Sequence, residues 1–357
     1  MVLVASLLGL LTQAGPVGYY KGDDTPPMAI DSSPNARNGV YTNGATTNPS
    51  KPAALTGTSM SFDGVDDLVS ETTFPWPTGG PVTVAFWNFV PTGSVQNSSA
   101  FTVGNMDNAN RFHVHGPWGD SVLYWDYGDI NANGRISANY ASRVNAWTHV
   151  ALVSEGVGGA FKAIYFDGTV AASATNSNGP VVALTGLQIG SWTGPALRHK
   201  GLIDDFRIYG RVLTPAQIQL LAQGGTEPTT APVVNMVVTT GTADLSWAAV
   251  PNAVSYTIER SVAGGAFTQI ASVTGTSYTD SGLTPGVIYS YRVTPVSVSA
   301  GPVSNTVSDT IPFPPPRTND HGEGLFDDKC ACGSSAPGTS IPWALLPIAL
   351  LAFLRRR

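Results

Sequence analysis

The sequence predicts an all-β protein built as sandwiches. Apolar residues alternate at period two in short segments, and Gly, Asn, Ser and Pro punctuate those segments, with 39 Gly and 27 Pro in 357 residues. No helical period longer than a few turns precedes Thr214. Short alternating segments favour antiparallel sheets in a jelly roll or sandwich over βαβ units, and the length allows two domains that each bury a core.

Taken in order, Val2–Leu11 is an apolar run followed by small residues at Thr12-Gln-Ala14. Residues 1–14 are therefore expected to be an export signal, although a basic start is missing and a buried first strand is the other reading. Thr83–Val90 is the cleanest strand, with Val82, Val84, Phe86 and Val90 on one face and Ala85, Trp87 and Phe89 on the other. Apolar groups on both faces predict a central strand covered twice. Further strands are expected at 111–116, 121–127, 147–154, 160–166 and 184–190, with a hairpin turn at Phe166-Asp-Gly-Thr169.

Gly201-Leu-Ile-Asp-Asp-Phe-Arg-Ile-Tyr209 also alternates. Uninterrupted alternation would put Leu202, Asp204, Phe206 and Ile208 on the core side and Ile203, Asp205, Arg207 and Tyr209 on the other. Thr214-Pro-Ala-Gln217 then reads as a capping box with proline at the first helical position, opening a short helix through Ile218 and Leu221. The composition of 224–232 marks a linker, set at 225–230 between a domain over 15–224 and one over 231–312.

Beyond 313 the chain is a polar spacer to about 335 containing Cys330-Ala-Cys332, then an apolar run from 336 that ends in Arg355-Arg356-Arg357. At about 1.5 Å per residue that run reaches roughly 28 Å, enough to span a bilayer core, with the arginines cytoplasmic and both domains outside. The formal charge is −6, and the only basic run is the terminal one, which argues against a nucleic-acid partner. With both cysteines near the C-terminus, neither domain can carry a disulfide.

Four stretches carry a resemblance. Val17-Gly-Tyr-Tyr-Lys-Gly-Asp-Asp24, Met60-Ser-Phe-Asp-Gly-Val-Asp-Asp-Leu-Val69, Trp147-Thr-His-Val-Ala-Leu-Val153 and Gly201–Leu220 occur in the order of a concanavalin A-like, laminin-G-like jelly roll, which residues 15–224 resemble. Ala243–Trp247, Ala253–Arg260 and Leu283–Val293 resemble a seven-stranded fibronectin type III sandwich, with Trp247 as core tryptophan and Tyr289 as tyrosine corner. The C-terminal arrangement of cysteine, small residues, apolar helix and arginines resembles the sorting tails of myxobacterial and related surface proteins. That resemblance implies processing near Cys330 or Cys332 by a membrane protease and display at the bacterial cell surface. A plain membrane anchor is the other reading.

Such sandwiches host binding modules and glycanases alike. Related glycanases carry a Glu-x-Asp-x-x-Glu strand, absent here, and Gly-x-Ser-x-Gly and His-Glu-x-x-His motifs are also missing. The expectation is a non-catalytic surface protein that recognises carbohydrate or another surface polymer. A structural or protein-adhesive module without a sugar site is the alternative, and a glycan hydrolase the third reading.

Arg111, His113, His115, Trp118, Asp120 and Trp125, with Trp192 on another loop, supply flat aromatics and hydrogen-bonding groups suited to sugar rings. Since Val122, Tyr124 and Asp126 alternate with Leu123, Trp125 and Tyr127, half of this aromatic set is expected to be core. The laminin-G-like resemblance further implies one structural calcium at Asp204, with Asp23 as a second ligand.

Overall fold

A computed structural model describes residues 14–316, apart from 77, 105–106, 177 and 193–196. The strand Lys200–Tyr209 organises the first sandwich, because it pairs with Val82–Phe89 along one edge and with two strands along the other. Ser59–Asp63 takes its first half and Gly18–Tyr20 its second.

The first sheet runs in the order Thr169–Ala174, Lys162–Phe166, Thr148–Ser154, Val82–Phe89, Lys200–Tyr209, Ser59–Asp63 and Thr46–Asn48. The second runs Arg135–Asn139, Val122–Gly128, Arg111–His115, Phe101–Val103, Thr185–Ile189, Leu68–Pro75, Gly39–Thr42 and Met28–Ala29. Their inner faces share one core that includes Phe86, Phe101, Phe112, Trp125 and Phe206. The expected strands are all present, and the 166–169 turn has Asp167 and Gly168 at φ 48° and 80°, the left-handed values of a two-residue hairpin.

Uninterrupted alternation along 201–209 does not hold. The pairing slips between Asp204 and Arg207, with Asp205 at φ 52°, which is a β-bulge. One extra residue reverses the phase, so Ile203 enters the core before the bulge and Phe206 and Ile208 after it. Leu202 and Asp204, expected on the core side, face outward.

The outer side of the first sheet is covered at one end by the helix Pro215–Ala222, whose Ile218 and Leu221 pack with Ala85, Ala151, Val153 and Tyr165. Val82–Phe89 is thus the doubly covered strand its composition predicts. The helix begins as expected: Thr214 Oγ1 accepts from Gln217 N at 3.3 Å, and Gln217 Oε1 accepts from Thr214 N at 2.9 Å. Thr214→Ala should lower stability by about 1 kcal/mol. This would be read as a fall in urea midpoint at unchanged slope, and an unmoved midpoint would show the cap to be dispensable.

The second sandwich packs the sheet Val234–Thr239, Thr242–Trp247 and Ser277–Ser281 against the sheet Thr268–Val273, Ser255–Val262, Ile288–Val296 and Val307–Thr310. Trp247 is buried against Tyr256 at 5.3 Å, and Tyr289 Oη accepts from Thr284 N at 3.2 Å. The two sandwiches touch: Val298 packs among Leu213, Ile218 and Leu221, and its carbonyl accepts from Arg211 Nη2 at 2.9 Å and Gln217 Nε2 at 2.6 Å. In the connecting stretch, Glu227 pairs with Arg207 at 3.3 Å and accepts from Tyr209 Oη at 3.0 Å.

Among the described residues no helix is long and apolar enough to cross a membrane. The expected span at 336–357, Cys330, Cys332 and all but the last residue of the expected export signal lie outside the described residues.

Candidate functional site

Strand alternation builds the site. On Arg111–His115, Phe112 and Val114 point into the core while Arg111, His113 and His115 point outward. On Val122–Gly128, Leu123, Trp125 and Tyr127 point inward, leaving Tyr124 and Asp126 outward. Trp125, expected at the ligand face, is therefore a core residue with 0% exposure, because it lies in the opposite phase from Asp126.

Register places Asp126 between His113 and Arg135. Arg135 holds it with Nε on Oδ1 at 2.6 Å and Nη2 on Oδ2 at 2.7 Å, and Arg111 Nη1 meets Oδ2 at 3.0 Å. Burial opposes the charge on Asp126, but the hydrogen bonds from Arg135 override it and hold the carboxyl well below the usual range. His113 Nδ1 lies 3.8 Å from Asp126 Oδ2, and its Nε2 is 2.8 Å from Ser99 Oγ. Burial pushes His113 down to about 4 and His115 to about 3, so both rings are neutral at pH 7.

Two indoles stand over this polar floor. Trp192 meets His113 with ring centroids 4.2 Å apart, with the Arg111 guanidinium 5.4 Å over its ring, and Trp118 meets His115 at 4.3 Å. Both indoles are half-buried. Asp120 is exposed and accepts from Tyr124 Oη at 2.7 Å. The structure thus brings Arg111, His113, His115, Trp118, Asp120 and Trp192 together around an acid, Asp126, that was not singled out. Arg135, Tyr124 and Ser99 were also missed.

The floor continues across the sheet. His113 stands opposite Thr102, Thr102 opposite Gln188, Gln188 opposite Ser70, and Ser70 opposite Val40. Gln188 Oε1 is buried and has no hydrogen-bond partner among the described residues.

Two chemical readings of the cluster fail on geometry. Ligand atoms of His113, His115 and Asp126 lie within 4.8 Å of one another, but both Asp126 oxygens are held by guanidiniums, so a cation there would sit beside two positive charges. Ser99, His113 and Asp126 line up as a relay would, yet Ser99 is fully buried and Asp126 is engaged by arginine.

Asp204 stands apart, at the bulge on the first sheet, 2% exposed, with Oδ2 lacking any hydrogen-bond partner among the described residues. Burial, reinforced by the charge of Asp205, pushes its carboxyl up to about 8. Asp23 is exposed and accepts from Thr58 N at 2.8 Å. An orphaned buried carboxylate oxygen fits a hard cation at Asp204, where calcium would supply the missing counter-charge.

Residues 62–219 match Laminin_G_3, the concanavalin A-like lectin/glucanases superfamily. The first sandwich is a concanavalin A-like domain. Among curated relatives, a poly(3-hydroxybutyrate) depolymerase of Ralstonia pickettii is 43% identical over 79 residues, which cover 22% of this chain and 15% of that protein. An amylopullulanase of Thermoanaerobacterium saccharolyticum is 37% identical over 102 residues, covering 27% and 8% respectively. The chain therefore spans only a small part of the length of these relatives.

Among solved structures, the binding domain of botulinum neurotoxin serotype D is similar at TM-score 0.47 and 10% identity, over 79% of this chain and 72% of that one. Domain 4 of an extracellular arabinanase of Geobacillus stearothermophilus, in complex with arabinotriose, is similar at TM-score 0.45 and 21% identity, over 59% and 99%.

Proposed function

We propose that this is a non-catalytic surface protein whose concanavalin A-like domain binds carbohydrate or another surface polymer. The observation that carries this reading is the line of outward side chains crossing the second sheet from Arg135 through Asp126, His113, Thr102 and Gln188 to Ser70, overlooked by Trp118 and Trp192. Indole faces can stack on sugar rings, while the polar groups beside them that reach solvent, Arg111, Asp120, Tyr124 and Arg135, can fix hydroxyls over a buried, hydrogen-bonded floor that holds them in place.

The second sandwich, with its buried Trp247 and the Tyr289 corner, serves in this reading as a fibronectin type III spacer. The tail from 336 would hold the protein in a bacterial envelope or, after processing at Cys330 or Cys332, deliver it to the surface. One structural calcium is assigned to Asp204, with Asp23 as a second ligand.

The test is a glycan array probed with the full chain and with Trp118→Ala. Selective binding that falls at least tenfold in the variant is the expected result, as stacked aromatics contribute much of a site's energy. A folded wild type that binds nothing would sink the reading in favour of a structural or protein-adhesive module.

A further inference from the structure

The outer face of the first sheet carries a second opening, on the opposite side of the sandwich from Trp118 and Trp192. It is a cleft of about 410 Å³ whose lining includes Asn48, Ser50, Ser61, Asp63, Phe89 and Lys200. Its floor is a cross-strand row: Ser61 stands opposite Leu202, and Leu202 opposite Phe89. The Phe89 ring then leans on Trp147, with centroids 5.5 Å apart and planes at 43°. Phe89 and Trp147 are both half-buried, so each keeps part of its ring in solvent. The helix Pro215–Ala222 covers Ala151, Val153 and Tyr165 further along the same face and leaves this end open.

The lining selects a chemistry. Its charged members, Asp63 and Lys200, are register partners on adjacent strands, one anion and one cation, so the cleft bears no net charge. An anionic ligand would meet Asp63, and a cationic one would meet Lys200. A neutral polyhydroxylated ring can hydrogen-bond to both, and to Ser61, Ser50 and Asn48, while its carbon face lies on Phe89 and Trp147. We infer that this cleft is a second binding site, one that takes a short stretch of a neutral glycan. It does not depend on the site at Trp118.

The experiment uses the full chain on an array of neutral and uronate-bearing oligosaccharides, comparing wild type with Ser61→Tyr, Phe89→Ala and Trp118→Ala. Ser61 points outward between the inward Met60 and Phe62, so a tyrosine there occupies the cleft without entering the core and suits a strand. The expected result is a set of neutral oligosaccharides still bound by Trp118→Ala but at least tenfold more weakly by Ser61→Tyr and Phe89→Ala, with an unchanged melting temperature in Ser61→Tyr. Undiminished binding by Ser61→Tyr would overturn the inference. So would binding that depends wholly on Trp118, binding confined to charged glycans, or no binding at all.

Discussion

Asp126→Ala should lower the stability of the concanavalin A-like domain by about 3 kcal/mol and abolish any binding that depends on Trp118. The carboxylate is fully buried and is the shared partner of Arg111 and Arg135. Removing one member of such a cluster leaves like charges side by side with their donors unmet, which typically costs about 3–5 kcal/mol. Because Arg135 is 37% exposed and can turn to water, the lower end of that range applies.

The pH dependence separates the ion pair from its surroundings. A carboxyl held below its unfolded value contributes stability that is complete above about pH 4 and is lost as pH falls through the folded value. His113 and His115 are also held down, to about 4 and 3, so they contribute a loss that begins below about pH 6.5. In urea titrations across pH, wild type should lose stability in both windows. Asp126→Ala should lose the carboxylate's share of the fall below pH 4, while its histidine limb deepens because Asp126 no longer supports the protonated rings. An unaltered acid limb in the variant would show that Asp126 is not the group responsible.

Much of this architecture can be read from local pattern, because local pattern is what the fold uses. The capping box at Thr214–Gln217, the Asp167-Gly168 turn and the two-faced strand at Val82–Phe89 each depend on neighbouring residues, and each is present where the spacing places it. The bulge at Asp204–Arg207 could not be read. Leu202 to Tyr209 alternates without interruption, and the extra residue arises where the pairing partner changes from Ser59–Asp63 to Gly18–Tyr20, some forty residues apart in sequence and invisible to a local window.

The site shows the same division. Arg111, His113 and His115 share a face by simple alternation, and the same rule applied to 122–128 would have exchanged Trp125 for Asp126. Arg135 required the register of a third strand, and Ser99 required a loop to fold back beneath His113.

Asp204→Asn should give the largest effect of pH and metal together. Its carboxyl is raised from 3.8 to about 8 by burial first and by Asp205 second, so in the absence of a cation the folded state holds a proton that the unfolded state releases. A raised group of this kind contributes stability that is complete below about pH 4 and is lost as pH rises through about 8. At about 1.4 kcal/mol per unit the contribution is on the order of 6 kcal/mol, large enough to dominate the pH profile of the domain. Calcium binds only the ionised form, so its stabilisation should be small at pH 5 and grow towards pH 8.

Melting temperatures measured from pH 5 to 9, with chelator and again with millimolar calcium, give the comparison. Wild type in chelator should weaken steadily across this range, and calcium should restore it at the alkaline end. Asp204→Asn should be flat in chelator and indifferent to calcium, since the amide neither titrates nor supplies the charge. A calcium response of equal size in the variant would place the ion elsewhere. A wild type that does not weaken towards pH 8 in chelator would mean that Asp204 finds a partner which releases it from its buried, protonated form.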